Sequence, residues 1–383
     1  MFYLIYQWFY DASGESVLRF LRVLKSQPFR AACAAATGFL LVWVVMPWFI
    51  RTMRRKGVRE QARHYSELDA GHKSEVPTMG GLVMIPAILA AAFLWCDPLN
   101  RFVYLAASAG VCGALLGAVD DLAKWHHRGS DHGLSRAAKY AAQIGIGLLI
   151  GVAFLLEYTS PVGAREVRES VYIPFVKTGF DIGWWNLGVI VFFLVVTTNA
   201  VNLTDGMDGL AAVPSIFVFL VLGLVAYLIG HAVYGPFLQF FPYAEPTGQV
   251  MNHGLPGAGE LGVLCCAAAG ACAGFLWYNA FPATVMMGDT GSLALGAMLG
   301  AVAVVIRQEA IFVVAGGVFI MEIASSFIQD HIGLTLLGRR IFFRAPYHST
   351  LLHRGISESK VTVRLWILSG ALAVGALALL KLR

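Results

Sequence analysis

Residues 102–125 read FVYLAASAGVCGALLGAVDDLAKW. From Phe102 to Val119 no side chain carries a charge; then two aspartates arrive together, with Lys124 close behind. A bilayer core about 30 Å thick is crossed by roughly 20 apolar residues in a helix rising about 1.5 Å per residue. The run is therefore a membrane span, and its acids stand where lipid gives way to water. An acid at the centre of a span costs roughly 2.5–3.5 kcal/mol on insertion scales, and even at its edge a pair of carboxylates asks for a reason.

The rest of the chain repeats the pattern. Of 383 residues 58% are hydrophobic and only 13% charged, and the mean hydropathy is +0.68. That is too little polar side chain to coat a body in water, so a cytosolic globular enzyme, a disordered chain and a disulfide-stapled domain are excluded. The expected fold class is all-α, a polytopic integral membrane protein in the lipid bilayer, with about ten transmembrane helices. The runs are Ala31–Ile50, Met79–Trp95, Phe102–Val119, Ala138–Leu155, Leu187–Val201, Leu210–Gly230, Leu261–Tyr278, Ser292–Ile306, Ala310–Ile328 and Val363–Leu380. With no repeat of fixed period, residues 1–383 read as one membrane domain: 1–30 an aromatic interfacial segment with no cleavage signal, 31–383 the helical body. The six cysteines, lacking C-x-x-C spacing, read as small buried hydrophobes. A net charge of +5, thinly scattered, suits anionic lipid headgroups and argues against nucleic acid.

Lys and Arg gather in the loops after the first, third and ninth runs, for example Arg51, Arg54, Arg55 and Lys56, then Lys124 and Lys139, then Arg339, Arg340 and Arg344. By the positive-inside rule these odd-to-even loops face the cytoplasm and both termini lie outside it. Between His231 and Glu260 there is no Lys or Arg. Among the outer loops, Val171–Lys177 has a strand-like pattern broken by Pro174, and the Pro/Gly-rich Phe241–Gly259 has room for a short helix.

The polar residues beside the apolar runs all fall at the cytoplasmic junctions. Asp120 and Asp121 precede Lys124 by a helical turn, which reads either as a solvated helix end with an ion pair or as a pair of acids held for chemistry. The segment TTNAVNLTDGMDGL spaces Asn199, Asn202, Asp205 and Asp208 three apart, then loosens at Gly206 and Gly209. It is either a polar connection between helices or an oxygen-rich cradle for a hard cation. In MMGDTGSLALG, Asp289 fits the N-cap of a helix, and the same helix start offers an anion site beside a metal-binding acid. Asn279 brackets that junction from the other side, while Lys73 and Thr78 precede a glycine pair in the first cytoplasmic loop and His348 and His353 sit in the last. His126, His127 and His132 have no ligand spacing, and Glu322, alone inside a run, reads as a buried hydrogen-bonded acid or, on a rival view, a transport site.

At these residues the chain resembles the phospho-N-acetylmuramoyl-pentapeptide transferases, within the polyprenyl-phosphate N-acetylhexosamine-1-phosphate transferase superfamily. The likeness covers nearly the whole length. It rests on K-x-x-x-P-T-M-G-G at Lys73–Gly81, D-D-x-x-K at Asp120–Lys124, G-L-S-x-x-x-K at Gly133–Lys139, N-A-V-N-L-T-D-G-x-D-G-L at Asn199–Leu210, F-L-W-x-N at Phe275–Asn279, M-G-D-x-G-S-L at Met287–Leu293 and A-P-x-H at Ala345–His348. The resemblance implies ten spans in the bacterial cytoplasmic membrane and a cytoplasmic active site. The reaction it implies is Mg²⁺-dependent transfer of phospho-MurNAc-pentapeptide from UDP-MurNAc-pentapeptide to undecaprenyl phosphate, giving lipid I and UMP in peptidoglycan synthesis. By motif position Asp289 would hold the metal, and Asp120 and Asp121 would serve the lipid phosphate. Lys73, Thr78, Leu203, Asp205 and Gly206 would meet the nucleotide side, and Lys139 and Asn202 the phosphates, with Lys124 adding charge beside them. Asp208 and His348 would place the sugar, and Asn199 and Asn279 lie within the matching motifs. Two departures fall on the pockets: His348 is followed by Ser349 and Thr350 where the family has histidines, and Met286 stands where it has an aromatic that stacks on uracil. The rivals are a UDP-GlcNAc-type transferase of the same superfamily and an ion-coupled transporter; the oligomeric state stays open, with a homodimer among the options.

Overall fold

A computed structural model describes residues 1–4, 6, 19–58, 76–126, 133–173, 176, 179–238, 240–244, 250–252 and 254–381. Lys73, His127 and His132 lie outside the described residues. The apolar runs become helices α1 (Gln27–Lys56), α2 (Gly81–Trp95), α3 (Arg101–His126), α4 (Arg136–Leu155), α5 (Asn186–Thr204), α6 (Ala212–Gly230), α7 (Glu260–Asn279), α8 (Gly288–Val305), α9 (Glu309–Ala315), α10 (Gly317–Phe327) and α11 (Glu358–Ala378). Among the described residues eight helices are long and apolar enough to cross a membrane; α2 is a shorter apolar helix, and α9 with α10 makes a broken passage.

The ninth run is thus not the single helix expected over Ala310–Ile328. It bends by 84° between α9 and the helical stretch Gly317–Leu336. Gly316 and Gly317 sit at the break, and a glycine pair is a common cause of a sharp kink because neither residue resists it sterically. Beyond the bend α10 packs against α5 and α11 and meets the short helix Tyr347–His353 of the following loop.

The centre is α8, whose apolar window is 94% buried, packed against α3 and α5, while α7 packs against α1 and α6. Lipid gives helices no hydrophobic reason to associate, so close backbone approach through small residues supplies the packing. Gly117 of α3 is one such place: a Cβ there would overlap the carbonyl of Asp289 at the start of α8.

At the end of the bundle where α1 and α7 begin, Arg30 and Glu260 form a buried pair, 2.7 and 2.5 Å between guanidinium and carboxylate, with Arg30 also donating to the Trp95 carbonyl at 3.0 Å. Arg30 lies within α1, and Glu260 supplies the charge that makes its burial tolerable. On the same end, strands β1 (Ser170–Val171) and β2 (Phe180–Asp181) pair antiparallel. The segment expected to hold a short helix forms instead a second antiparallel pair, β3 (Pro242–Ala244) with β4 (Val250–Asn252), each strand meeting the other's open backbone groups. All six cysteines are free and lie buried or half-buried, as small apolar residues.

Candidate active site

The last turn of α3, the first turn of α4, the last turn of α5 and the first turn of α8 meet at the opposite end. Carboxylate oxygens of Asp120, Asp121 and Asp289 approach within 4.8 Å of one another, all three residues buried. Two ammonium groups bridge them. Lys124 Nζ lies 2.7 Å from Asp120 Oδ2 and 2.9 Å from Asp289 Oδ2, and Lys139 Nζ lies 2.8 and 3.0 Å from the same two oxygens. The expected turn-to-turn pair of Asp120 with Lys124 is present, and it is one edge of a four-membered cluster drawn from three helices. Two ammonium groups thus offset the repulsion between carboxylates held this close.

Each acid has its own surroundings. Asp120 Oδ1 accepts the Leu134 amide at 2.8 Å, which ties the chain entering α4 to the end of α3. Asp289 Oδ1 accepts from Asn202 Nδ2 at 2.9 Å, and the same amide donates to Ser292 Oγ at 2.8 Å. Asp121 has a different task. Its Oδ1 accepts the Asp289 amide at 3.1 Å, and its Oδ2 accepts the Thr290 amide and hydroxyl at 2.9 and 2.7 Å. It caps α8 from another helix, satisfying amides that the first turn cannot pair internally. Asp289 is thus a residue of the first turn and not the N-cap, and those amides are not open to an anion, because Asp121 already fills them.

The remaining sequence candidates fall into three groups. Asn199 exchanges hydrogen bonds with Gln143, 2.7 and 3.3 Å, joining α5 to the helix that carries Lys139. Asp208 Oδ2 accepts the Ala283 amide at 2.9 Å while its own amide donates to Glu358, and Asn279 accepts from the Gly209 amide and donates to the Val285 carbonyl. These brace the turn after α5 against the loop before α8. In that loop Met286 is buried with Val76 and Ala283, its amide donating to the Pro77 carbonyl and its carbonyl accepting the Gly80 amide, so half-buried Thr78 sits on a strip zipped to it. Gly288, at φ +74°, lets the chain turn from this strip into α8 beside Asp121.

The third group opens a cleft of about 610 Å³ lined by Leu203, Gly206, Gln329, Asp330, Arg340, Arg344 and His348, among others. Leu203 follows Asn202, the partner of Asp289, so the cleft adjoins the acid cluster along α5. Asp205, at the C-terminal cap of α5, is half-buried. Sequence reasoning gave no role to Gln143, Thr290, Ser292, Gln329 and Glu358, although Ser292 is the serine of the M-G-D-x-G-S-L motif and Thr290 its variable position. For the other three, a polar side chain near an apolar run is the one signal that points to them. Glu322, read as a buried hydrogen-bonded acid, is fully buried and bonds to His348.

The donor set fits a hard divalent cation: the converging side-chain atoms are buried carboxylate oxygens. Lysines and aspartates gathered beside a cleft at the lip of an apolar bundle suit a membrane enzyme that handles phosphates. Residues 102–307 match the family described as Glycosyl transferase family 4. Relatives with the printed name phospho-N-acetylmuramoyl-pentapeptide-transferase include those of Methylacidiphilum infernorum, 38% identical over 96% of this chain and 97% of theirs, and Desulfotalea psychrophila, 38% identical over the full length of both. That of Rhodopseudomonas palustris strain BisB18 is 36% identical over 96% of this chain and 98% of its own. The chain belongs to the phospho-N-acetylmuramoyl-pentapeptide-transferase family, as its motifs implied.

Proposed function

We propose that this chain transfers phospho-MurNAc-pentapeptide from its UDP carrier to undecaprenyl phosphate, forming lipid I and releasing UMP, with the acid cluster on the cytoplasmic side of the bacterial inner membrane. The observation that carries the reading is the joining of Asp120, Asp289, Lys124 and Lys139 at one end of the bundle, next to the cleft. Donor and acceptor are both phosphates, so repulsion is the first obstacle to their meeting. Asp289 and Asp120 would hold Mg²⁺. When bound, the ion supplies positive charge against the diphosphate. Lys124 and Lys139, beside those acids, would meet phosphate oxygens and orient them for in-line attack. Asn202 fixes the rotamer of Asp289 through its Oδ1. Leu203, Asp205, Gly206 and Thr78 lie toward the nucleotide, Lys73 belongs with them by motif, and His348 faces the sugar.

Asp120 orients and does not act as a base. A phosphomonoester has a second pKa of about 6, so the lipid phosphate is already mostly a dianion at neutral pH and its last proton is not the barrier. The acids gather at one face and not at a midplane break, which disfavours a transporter. The deciding experiment gives purified protein undecaprenyl phosphate, Mg²⁺ and either UDP-MurNAc-pentapeptide or UDP-GlcNAc and follows UMP. Release with the first and not the second, abolished by Asp289→Ala in a variant that keeps its thermal transition, is expected. Release only with UDP-GlcNAc would transfer the chain to the sister activity.

A further inference from the structure

Glu322 lies on α10, away from the acid cluster, and its side chain is fully buried. Both of its carboxylate oxygens lie 3.2 Å from the His348 amide, and Oε2 also lies 3.1 Å from His348 Nδ1. The amide belongs to the first turn of the short helix Tyr347–His353, where no intrahelical acceptor exists. One acid therefore pins both the backbone and the ring of the same residue. A carboxylate accepts and cannot donate, so Nδ1 must carry the ring proton, and the second nitrogen, Nε2, is the ring's remaining polar atom. His348 is itself only 1% exposed and lines the cleft with Leu203, Gly206 and Gln329.

We propose that Glu322 is a positioning residue for substrate recognition: it locks His348 with Nδ1 protonated toward α10 and Nε2 presented to the cleft, to accept a hydrogen bond from a hydroxyl or amide N–H of the sugar-peptide. The inference rests on the reading of the reaction above. It gives the last cytoplasmic loop a rigid donor-acceptor sense although Ser349 and Thr350 follow His348 in place of further histidines. The ninth passage is bent so that α10 carries Glu322 to this loop.

Glu322→Gln separates positioning from packing. An amide of the same shape offers one acceptor and one donor, whereas the wild-type site faces two N–H groups. The conflict is relieved when the ring proton moves to Nε2, which turns the cleft-facing atom from an acceptor into a donor. In full-length protein labelled at histidine nitrogens, the ¹⁵N resonances of His348, assigned by loss in His348→Ala, are expected to show Nδ1 protonated in the wild type. They are expected to show the proton on Nε2 in Glu322→Gln. In the UMP-release assay Glu322→Gln is expected to lower kcat/KM for the UDP-sugar about 10- to 100-fold while KM for undecaprenyl phosphate stays unchanged. Adding it to His348→Ala is expected to cost nothing more, because its effect runs through the ring. A bare Nδ1 in the wild type, or losses that multiply in the double variant, overturns the proposal. The tautomer needs no substrate, so a wild type that releases no UMP overturns the reading of the reaction while the spectrum still decides the positioning.

Discussion

Asp121 and Asp120 are neighbours in the chain and differ in what their oxygens do. Asp121 commits both to the start of α8, so its charge acts on Asp289 through the backbone. Asn in its place keeps the shape and offers one acceptor for two facing amides, leaving a donor against a donor. Asp121→Asn is expected to lower turnover at least tenfold and to lower the thermal midpoint in detergent, since an unsatisfied buried amide costs about 1–3 kcal/mol. An unchanged midpoint with lost turnover would instead put Asp121 in contact with substrate. Asp120 holds two lysines and the Leu134 amide. If it orients, the ratio of Asp120→Ala to wild-type rate stays flat between about pH 6 and pH 8, where the lipid phosphate loses its second proton. Rising recovery toward the alkaline end marks a base. Both acids were legible in the sequence as a charged pair at the end of an apolar run. Their division of labour was not, because it depends on which helix start lies opposite, and nothing in AVDDLAKW names α8.

Helix α8 is the part on which the others are hung, and its contact with α3 is made by missing side chains. A Cβ on Gly117 would overlap the Asp289 carbonyl and crowd Thr290, both in the turn that Asp121 caps. Overpacking a tight contact costs about 1–3 kcal/mol, and here the strain falls on the residue that would hold the metal. Gly117→Ala is expected to lower the thermal midpoint and to raise the Mg²⁺ concentration needed for half-maximal rate. Gly145→Ala on α4, where a Cβ meets open space, should change neither. A Gly117→Ala enzyme with wild-type metal dependence would show that α8 can slide without moving Asp289. Runs of apolar residues announced about ten passages; among the described residues eight of them became helices long and apolar enough to cross a membrane, α2 is shorter, and the ninth run is broken. The break at Gly316 and Gly317 escaped because small residues are common throughout these helices and only the fold shows which pair bends. The β3–β4 pair escaped for a related reason: strands of this length carry too little pattern to be told from a loop.

Viewed across its long axis, the protein is chemically two-ended. One end carries the lysine–aspartate cluster and the cleft. The other carries Arg30–Glu260 and, at the far end of α8, Arg307, whose side chain reaches the Ser170 carbonyl and pairs with Glu309 at 2.8 Å. Buried pairs of this kind fix register, whereas the first end gathers three carboxylates and two lysines around one point. On the proposed reading the basic loops put that first end in the cytoplasm, the side that a soluble nucleotide-sugar can reach. The assignment is open to a direct test by single cysteines on the two sides of α4. Arg136 is exposed at its first residue, next to the cluster, and Tyr158 is 89% exposed beyond its last. In intact cells, a membrane-impermeant maleimide is expected to label Tyr158→Cys at once and Arg136→Cys only after permeabilisation. The native thiols, in or beside apolar helices, should react slowly with a reagent that needs water and thiolate. The reversed labelling pattern would put the acids outside, out of reach of a cytoplasmic nucleotide, and the proposed reaction could not occur there.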